Sequence, residues 1–162
     1  LSELCCFCNR YAFSNFDLIN LIDKDRHLTN TLSQIKTKSP ERITNENILW
    51  LSQSLMNVLL TTSNLIKRKE FTHAHQSLSN TQKYLLWLIR VITNKTQHWE
   101  SPTKSLEKDI DPIWYSTYRT VTSDLNPKNI DLAFENSLNL SEKLFDKLNI
   151  EPKLKEILHK IR

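Results

Sequence analysis

Residues 71–95 read FTHAHQSLSNTQKYLLWLIRVITNK. Phe71, Ala74, Leu78, Leu85, Leu88 and Ile92 fall on alternating three- and four-residue steps, with Thr81 as the polar interruption. That spacing puts them on one face of an α-helix. In the second half Tyr84, Leu86, Trp87, Ile89 and Val91 leave the segment apolar nearly all round. A helix that is apolar on every side must be covered on every side, so this segment predicts the central member of a bundle. It should stop at Thr93-Asn94-Lys95.

Working outward, Ile48, Leu51, Leu55, Val58, Leu59, Leu65 and Ile66 make a second broad stripe, widened by Trp50 and Met56. Thr44 or Asn45 should cap it, because a short side-chain oxygen satisfies the free N–H groups of a first turn. It ends at Lys67-Arg68-Lys69. Long helices joined by so short a turn should run antiparallel. Downstream, Ser101-Pro102, Asp111-Pro112 and Asn126-Pro127 read as cap-and-proline helix starts. Leu106 and Ile110 share a face, and Ile113, Trp114, Tyr115 and Tyr118 form an aromatic-rich segment. The row Ile130, Phe134, Ser137, Ser141, Leu144 and Leu148 predicts a long helix. Glu151-Pro152 opens a last amphipathic one through Leu154, Ile157, Leu158 and Ile161.

The N-terminal part has another texture. Residues 1–22 are rich in β-favouring and aromatic types, and FDLINLID is apolar on both faces, as in a buried strand. Leu28, Leu32 and Ile35 predict a short helix. The linker from Lys36 to Arg42, with Ser39-Pro40, marks the boundary. The expected fold is mainly α: an antiparallel helical bundle of about four or five helices preceded by a short β segment. Residues 1–38 would be terminal strands and a short helix, and 39–162 the bundle. A chain that starts at Leu1 inside a strand reads as a fragment or an excised domain.

Composition narrows the function. The 162 residues are 39% hydrophobic and 25% charged, with a net charge of +4 spread among acidic residues. That balance argues against nucleic acid as the partner. No apolar run approaches the ~18 residues a membrane span needs. Glycine is absent. The absence excludes, within this chain, a P-loop, a dinucleotide-binding fingerprint and a Gly-Ser phosphate hairpin, since each needs backbone approach that a Cβ blocks. Asn should then occupy the left-handed positions at helix ends. Cys5, Cys6 and Cys8 read as free thiols in a reducing cytosol rather than a zinc site, for which His27 is the nearest fourth ligand.

Few residues carry potential chemistry. In TQHWESPTKSLEKDIDP (96–112), His98 and Trp99 could stack on a planar or sugar-like ligand and orient a hydroxyl. Equally, Trp99 could plug the bundle end while His98 caps a carbonyl. Glu107 is either a site carboxylate or part of a solvated face. Lys67, Arg68 and Lys69 could meet a polyphosphate or complement a helix dipole. His73 and His75, two apart on a helix, do not face each other. Asp17 is a carboxylate in an apolar strand, costly to bury unless paired or metal-bound. It is a functional candidate or a strand-edge residue.

The order of these segments resembles a known family. A strand with an acidic residue (NFDLINLIDKD) is followed by a linker, a helix ending in KRKE, FTHAH…LLWLIR, and HWESPTKSLEKDI. A late YSTYRT…LAFENSLNLSEKLFDKL completes the series. It is similar to the C-terminal half of small bacterial antibiotic nucleotidyltransferases, the lincosamide and aminoglycoside adenylyltransferases. Matching positions are Arg68 and Glu70 (with Lys69 where glycine is usual), His98-Trp99, Pro102 and Leu106-Glu107. The resemblance implies a helical domain that closes over a nucleoside triphosphate and supplies much of the acceptor pocket. It implies nucleotide contacts at Lys67 and Arg68, acceptor contacts at His98, Trp99 and Glu107, and Asp17 as the third carboxylate of the catalytic site. The implied chemistry is Mg-assisted transfer of a nucleoside monophosphate to a hydroxyl of a small molecule such as an antibiotic, in the cytoplasm. The Gly-Ser loop and Asp-x-Asp pair of the catalytic half have no counterpart, so the chain should be inactive alone. The expected protein partner is a second copy, in a homodimer, or a separate catalytic chain. The alternative is a non-catalytic helical interaction or regulatory module that partners a separate nucleotidyltransferase.

Overall fold

The computed structural model describes residues 41–161. The expected β segment, the short helix after it, the cysteines and Asp17 lie outside the described residues. The described part is mainly helical, as the periodicity predicts. It contains α1 (Asn45–Lys67), α2 (Phe71–Ile92), α3 (Leu106–Asp109), α4 (Pro112–Arg119), α5 (Pro127–Lys147) and α6 (Pro152–Ile161). None of these helices is long and apolar enough to cross a membrane.

The helix starts follow local chemistry. The Thr44 hydroxyl accepts from the Asn47 N–H at 3.1 Å. Asp111 and Asn126 cap α4 and α5 in the same way, each just before its proline. Ser101-Pro102 departs from expectation, because no helix starts there. Residues 101–105 turn instead, and α3 begins after Ser105, whose φ is 53°. The reason is tertiary: the carbonyls of Pro102 and Lys104 accept from the Arg90 side chain, so they are not free to build a helical ladder.

Helix ends are closed without glycine. Lys69, Asn94 and Asn149 adopt positive φ (60°, 54° and 51°) just beyond α1, α2 and α5. In each case the next N–H reaches back six residues inclusive: Glu70 to Leu65, Lys95 to Arg90 and Ile150 to Phe145, at 3.0, 2.9 and 3.0 Å. This is the Schellman closure. Asn tolerates it well, and Lys69 adopts it at a strain of ~1 kcal/mol.

α1 and α2 run antiparallel. Trp50 near the start of α1 meets Tyr84 late in α2, with ring centroids 6.1 Å apart. Thr62 and Ser77 share a buried hydrogen bond of 2.8 Å at the other end. α5 runs parallel to α2: Ile130 packs with Ala74 at their starts, and Lys147 lies by Ile92 and Thr93 at their ends. The return between them is α4 and the segment after it, where Val121 and Ser123 carbonyls meet Gln82 and His75 of α2. α6 turns back along α5, with Lys155 on Asp146 at 2.7 Å. The core is Leu51, Leu55 and Leu59 of α1, Leu85, Leu88 and Ile89 of α2, and Leu138, Leu144 and Phe145 of α5. Ser52, Thr62, Ser137 and Ser141 are buried in the helix seams, and each hydroxyl donates to the carbonyl four residues back. No polar group is stranded there, so close packing costs little.

Candidate functional site

The segment after α2 is organised by one residue. Arg90 is fully buried, at 0% exposure. Its Nε donates to the Pro102 carbonyl at 2.8 Å, Nη2 to the Lys104 carbonyl at 2.7 Å, and Nη1 to the Lys95 carbonyl at 2.9 Å. Nη1 also meets Asp109 Oδ2 at 3.1 Å. A planar five-donor guanidinium can hold several acceptors at once, which an ammonium cannot. One buried side chain thereby fixes four points between residues 95 and 109. Its signal in the sequence is a cation between Ile89 and Val91 in a helix apolar all round. Such a cation needs partners from elsewhere.

That frame sets His98 and Trp99. His98 is partly exposed, and its Nε2 lies 3.8 Å from Asp109 Oδ2, so it faces a carboxylate already held by Arg90. Trp99 is engaged from within the chain. Trp87 stacks on it (centroids 5.8 Å apart, planes at 21°), and Trp87 Nε1 donates to the Trp99 carbonyl at 2.8 Å. The Arg42 guanidinium lies over the Trp99 ring at 5.2 Å and pairs with Glu100 at 3.1 Å. Trp50, Tyr84, Trp87 and Trp99 therefore make one continuous aromatic ladder across α1, α2 and this loop. Such contacts anchor the loop on the bundle. Glu107 is exposed and accepts from the Tyr115 hydroxyl at 3.3 Å.

The basic turn lies elsewhere. Lys67 and Arg68 sit where α1 passes into α2, whereas His98, Trp99 and Glu107 come after the far end of α2. The 22 residues of α2 separate the two groups by on the order of 30 Å at ~1.5 Å per residue. The structure thus brings His98, Trp99 and Glu107 to one end of the bundle and leaves Lys67 and Arg68 at the other. Arg68 is exposed and already paired with Glu70, Nε to Oε1 at 3.0 Å. His73 reaches toward the same Glu70 at 3.7 Å, while His75 meets the Ser123 carbonyl at 3.0 Å.

The comparison with known families decides what this arrangement belongs to. A family model described as "Lincosamide nucleotidyltransferase-like, C-terminal domain" matches residues 44–161. The chain belongs to the lincosamide nucleotidyltransferase-like C-terminal domain family. No curated protein matches the chain. The match begins at Thr44, the cap of α1, and runs to the end of α6, so this C-terminal domain is the whole described bundle. The chain's likeness to the C-terminal half of antibiotic nucleotidyltransferases, legible in its motifs, is thereby shown. Among the described residues no group of three His, Cys, Asp or Glu is placed to hold an ion.

Proposed function

We propose that this nucleotidyltransferase-related helical domain forms one wall of an acceptor pocket. It would serve an enzyme that transfers a nucleoside monophosphate from a Mg-bound nucleoside triphosphate to a hydroxyl of a small molecule, with antibiotics as the first candidates. The family match over residues 44–161 carries this reading. The geometry that supports it is the loop clamped by Arg90, because a pocket wall must hold its polar groups still. In this reading His98 and Glu107 contact the acceptor. Trp99 positions them by anchoring the loop on Trp87 and Arg42. Lys67 and Arg68 at the opposite end would meet a nucleotide only as a separate contact. Asp17, the Mg ion and the phosphate-cradling loop belong to the catalytic side of the proposal. A glycine-free chain cannot itself provide that loop. In this proposal the catalytic side is a separate domain or chain that carries such a loop, in the cytoplasm. The alternative of a non-catalytic interaction module rests on the strands expected within residues 1–22, which lie outside the described residues.

The test supplements the full chain with a nucleotidyltransferase catalytic domain and follows nucleotide transfer to a lincosamide or an aminoglycoside by mass spectrometry. Transfer should need both parts. His98→Ala and Glu107→Ala should each lower kcat/KM by roughly tenfold or more, the scale of losing a charge-assisted contact. Transfer that proceeds unchanged in both variants would remove the site assignment.

A further inference from the structure

An opening beside the clamped loop is lined by its Lys95 and Asp109 and by none of the aromatic ladder's residues. Two adjoining cavities of about 590 and 370 Å³ share Trp114 and Lys147. Volumes of ~300–1,000 Å³ suit a small molecule. The half-buried Trp114 ring contributes to both cavities, and Ile113 stands 74% exposed at the larger one. Lys95 completes the larger cavity, and Lys143 the smaller.

The charges there are unequally committed. Asp109 is held by Arg90, and Asp146 by Lys155. Asp111 accepts from the Ile113 N–H at 2.7 Å as the cap of α4. Lys95, Lys143 and Lys147 are exposed and form no ion pair among the described residues. The ordinary role for lysines near the ends of α2 and α5 is to complement the helix dipoles. Here the Arg90 and Phe145 carbonyls are already closed by the Lys95 and Ile150 N–H groups. Lys143 also lies a full turn before Lys147, deeper into α5. Asp109 and Asp111 line the larger cavity and Asp146 the smaller, but Asp109 and Asp146 each have a cation of their own, so three ammonium groups face one uncompensated carboxylate, Asp111, around one indole and one exposed isoleucine.

We propose that the Trp114 groove is a binding site for a small aromatic anion, a flat ring carrying a phosphate. The ring would lie against Trp114 and Ile113, and the phosphate would be met by Lys143, Lys147 and Lys95. Lysine suits this task because its ammonium is a mobile point charge that tolerates several anion positions. The site involves neither His98 nor Glu107, so it stands or falls independently of the transferase reading.

The test is calorimetric titration of the full chain with 1-naphthyl phosphate, with inorganic phosphate and 1-naphthol as its two halves. Naphthyl phosphate should bind at least about tenfold more tightly than either half, and added salt should weaken it. The doubly substituted Lys143→Ala, Lys147→Ala protein should bind about tenfold more weakly, as expected for lost charge-assisted contacts. Both lysines are exposed, so that variant should fold normally. In 15N-labelled protein the indole N–H signal of Trp114, assigned by its loss in Trp114→Phe, should shift on titration. Equal binding of phosphate and naphthyl phosphate, unchanged affinity in the double variant, or a stationary Trp114 signal would each overturn the proposal.

Discussion

Arg90 shows how much one side chain can decide. Its guanidinium is fully buried and its acceptors are mostly backbone carbonyls, so removing it leaves those carbonyls and Asp109 without their donor. Arg90→Met should destabilise the domain by about 3–5 kcal/mol, the range for breaking a buried charged network from one side. Arg90→Lys should recover little, because an ammonium cannot span the same acceptors. Urea unfolding measures the loss, and hydrogen exchange should show it concentrated between residues 95 and 109. A loss under ~1 kcal/mol would mean the clamp is dispensable. Lys69 provides a second case. At φ 60° its Cβ is strained, so Lys69→Gly should raise stability by about 0.5–1 kcal/mol in the same assay. Tyr118 provides a third, through pH. Burial holds its phenol above the ordinary value near 10. A raised folded pKa contributes its stability in full below the unfolded pKa and loses it as pH rises through the folded one, since the unfolded chain ionises first. Stability should therefore fall above about pH 10, and Tyr118→Phe should flatten that fall in urea midpoints taken on either side.

At the scale of elements, the seams between helices matter more than the helices. Ser137 and Ser141 are buried on α5 and satisfied by their own helix. Their small volume lets neighbouring backbones approach. Ser141→Ala should therefore change stability by less than about 1 kcal/mol, because only a self-contained hydrogen bond is removed. Ser141→Leu should cost about 1–3 kcal/mol by overpacking. Thermal unfolding of the pair separates the two effects, and equal losses would contradict the close-seam account. In the sequence these serines are two polar letters in an apolar row. The row itself was enough to predict the helix, because its period holds whatever the polarity of single positions.

At the scale of the molecule, the topology sets the candidate site. α1 and α2 form a hairpin, so the turn before α2 and the loop after it lie at opposite ends. The basic turn and the His98 loop, neighbours along the chain, are therefore parted by the length of a helix. The loop gains its order from contacts 12 to 19 residues away in sequence, between Arg90 and Pro102 or Asp109. The groove at Trp114 exists because the ends of α2 and α5 come together there with the start of α4. Nothing in the spacing of Lys95, Trp114 and Lys147 announces that meeting.

The sequence by itself determined the long helices, most of their caps and two of the three left-handed closures, those at Asn94 and Asn149, and it carried the family's motifs. Those features depend on neighbours within about six positions, where periodicity and side-chain chemistry act directly. Tertiary structure alone decided that Arg90 would draw carbonyls out of a would-be helix at Pro102. It also decided that Trp99 would be held by Trp87 and Arg42, and that Lys67 would stand far from His98. Each depends on which surfaces a folded chain brings together, and a one-dimensional pattern does not contain that information.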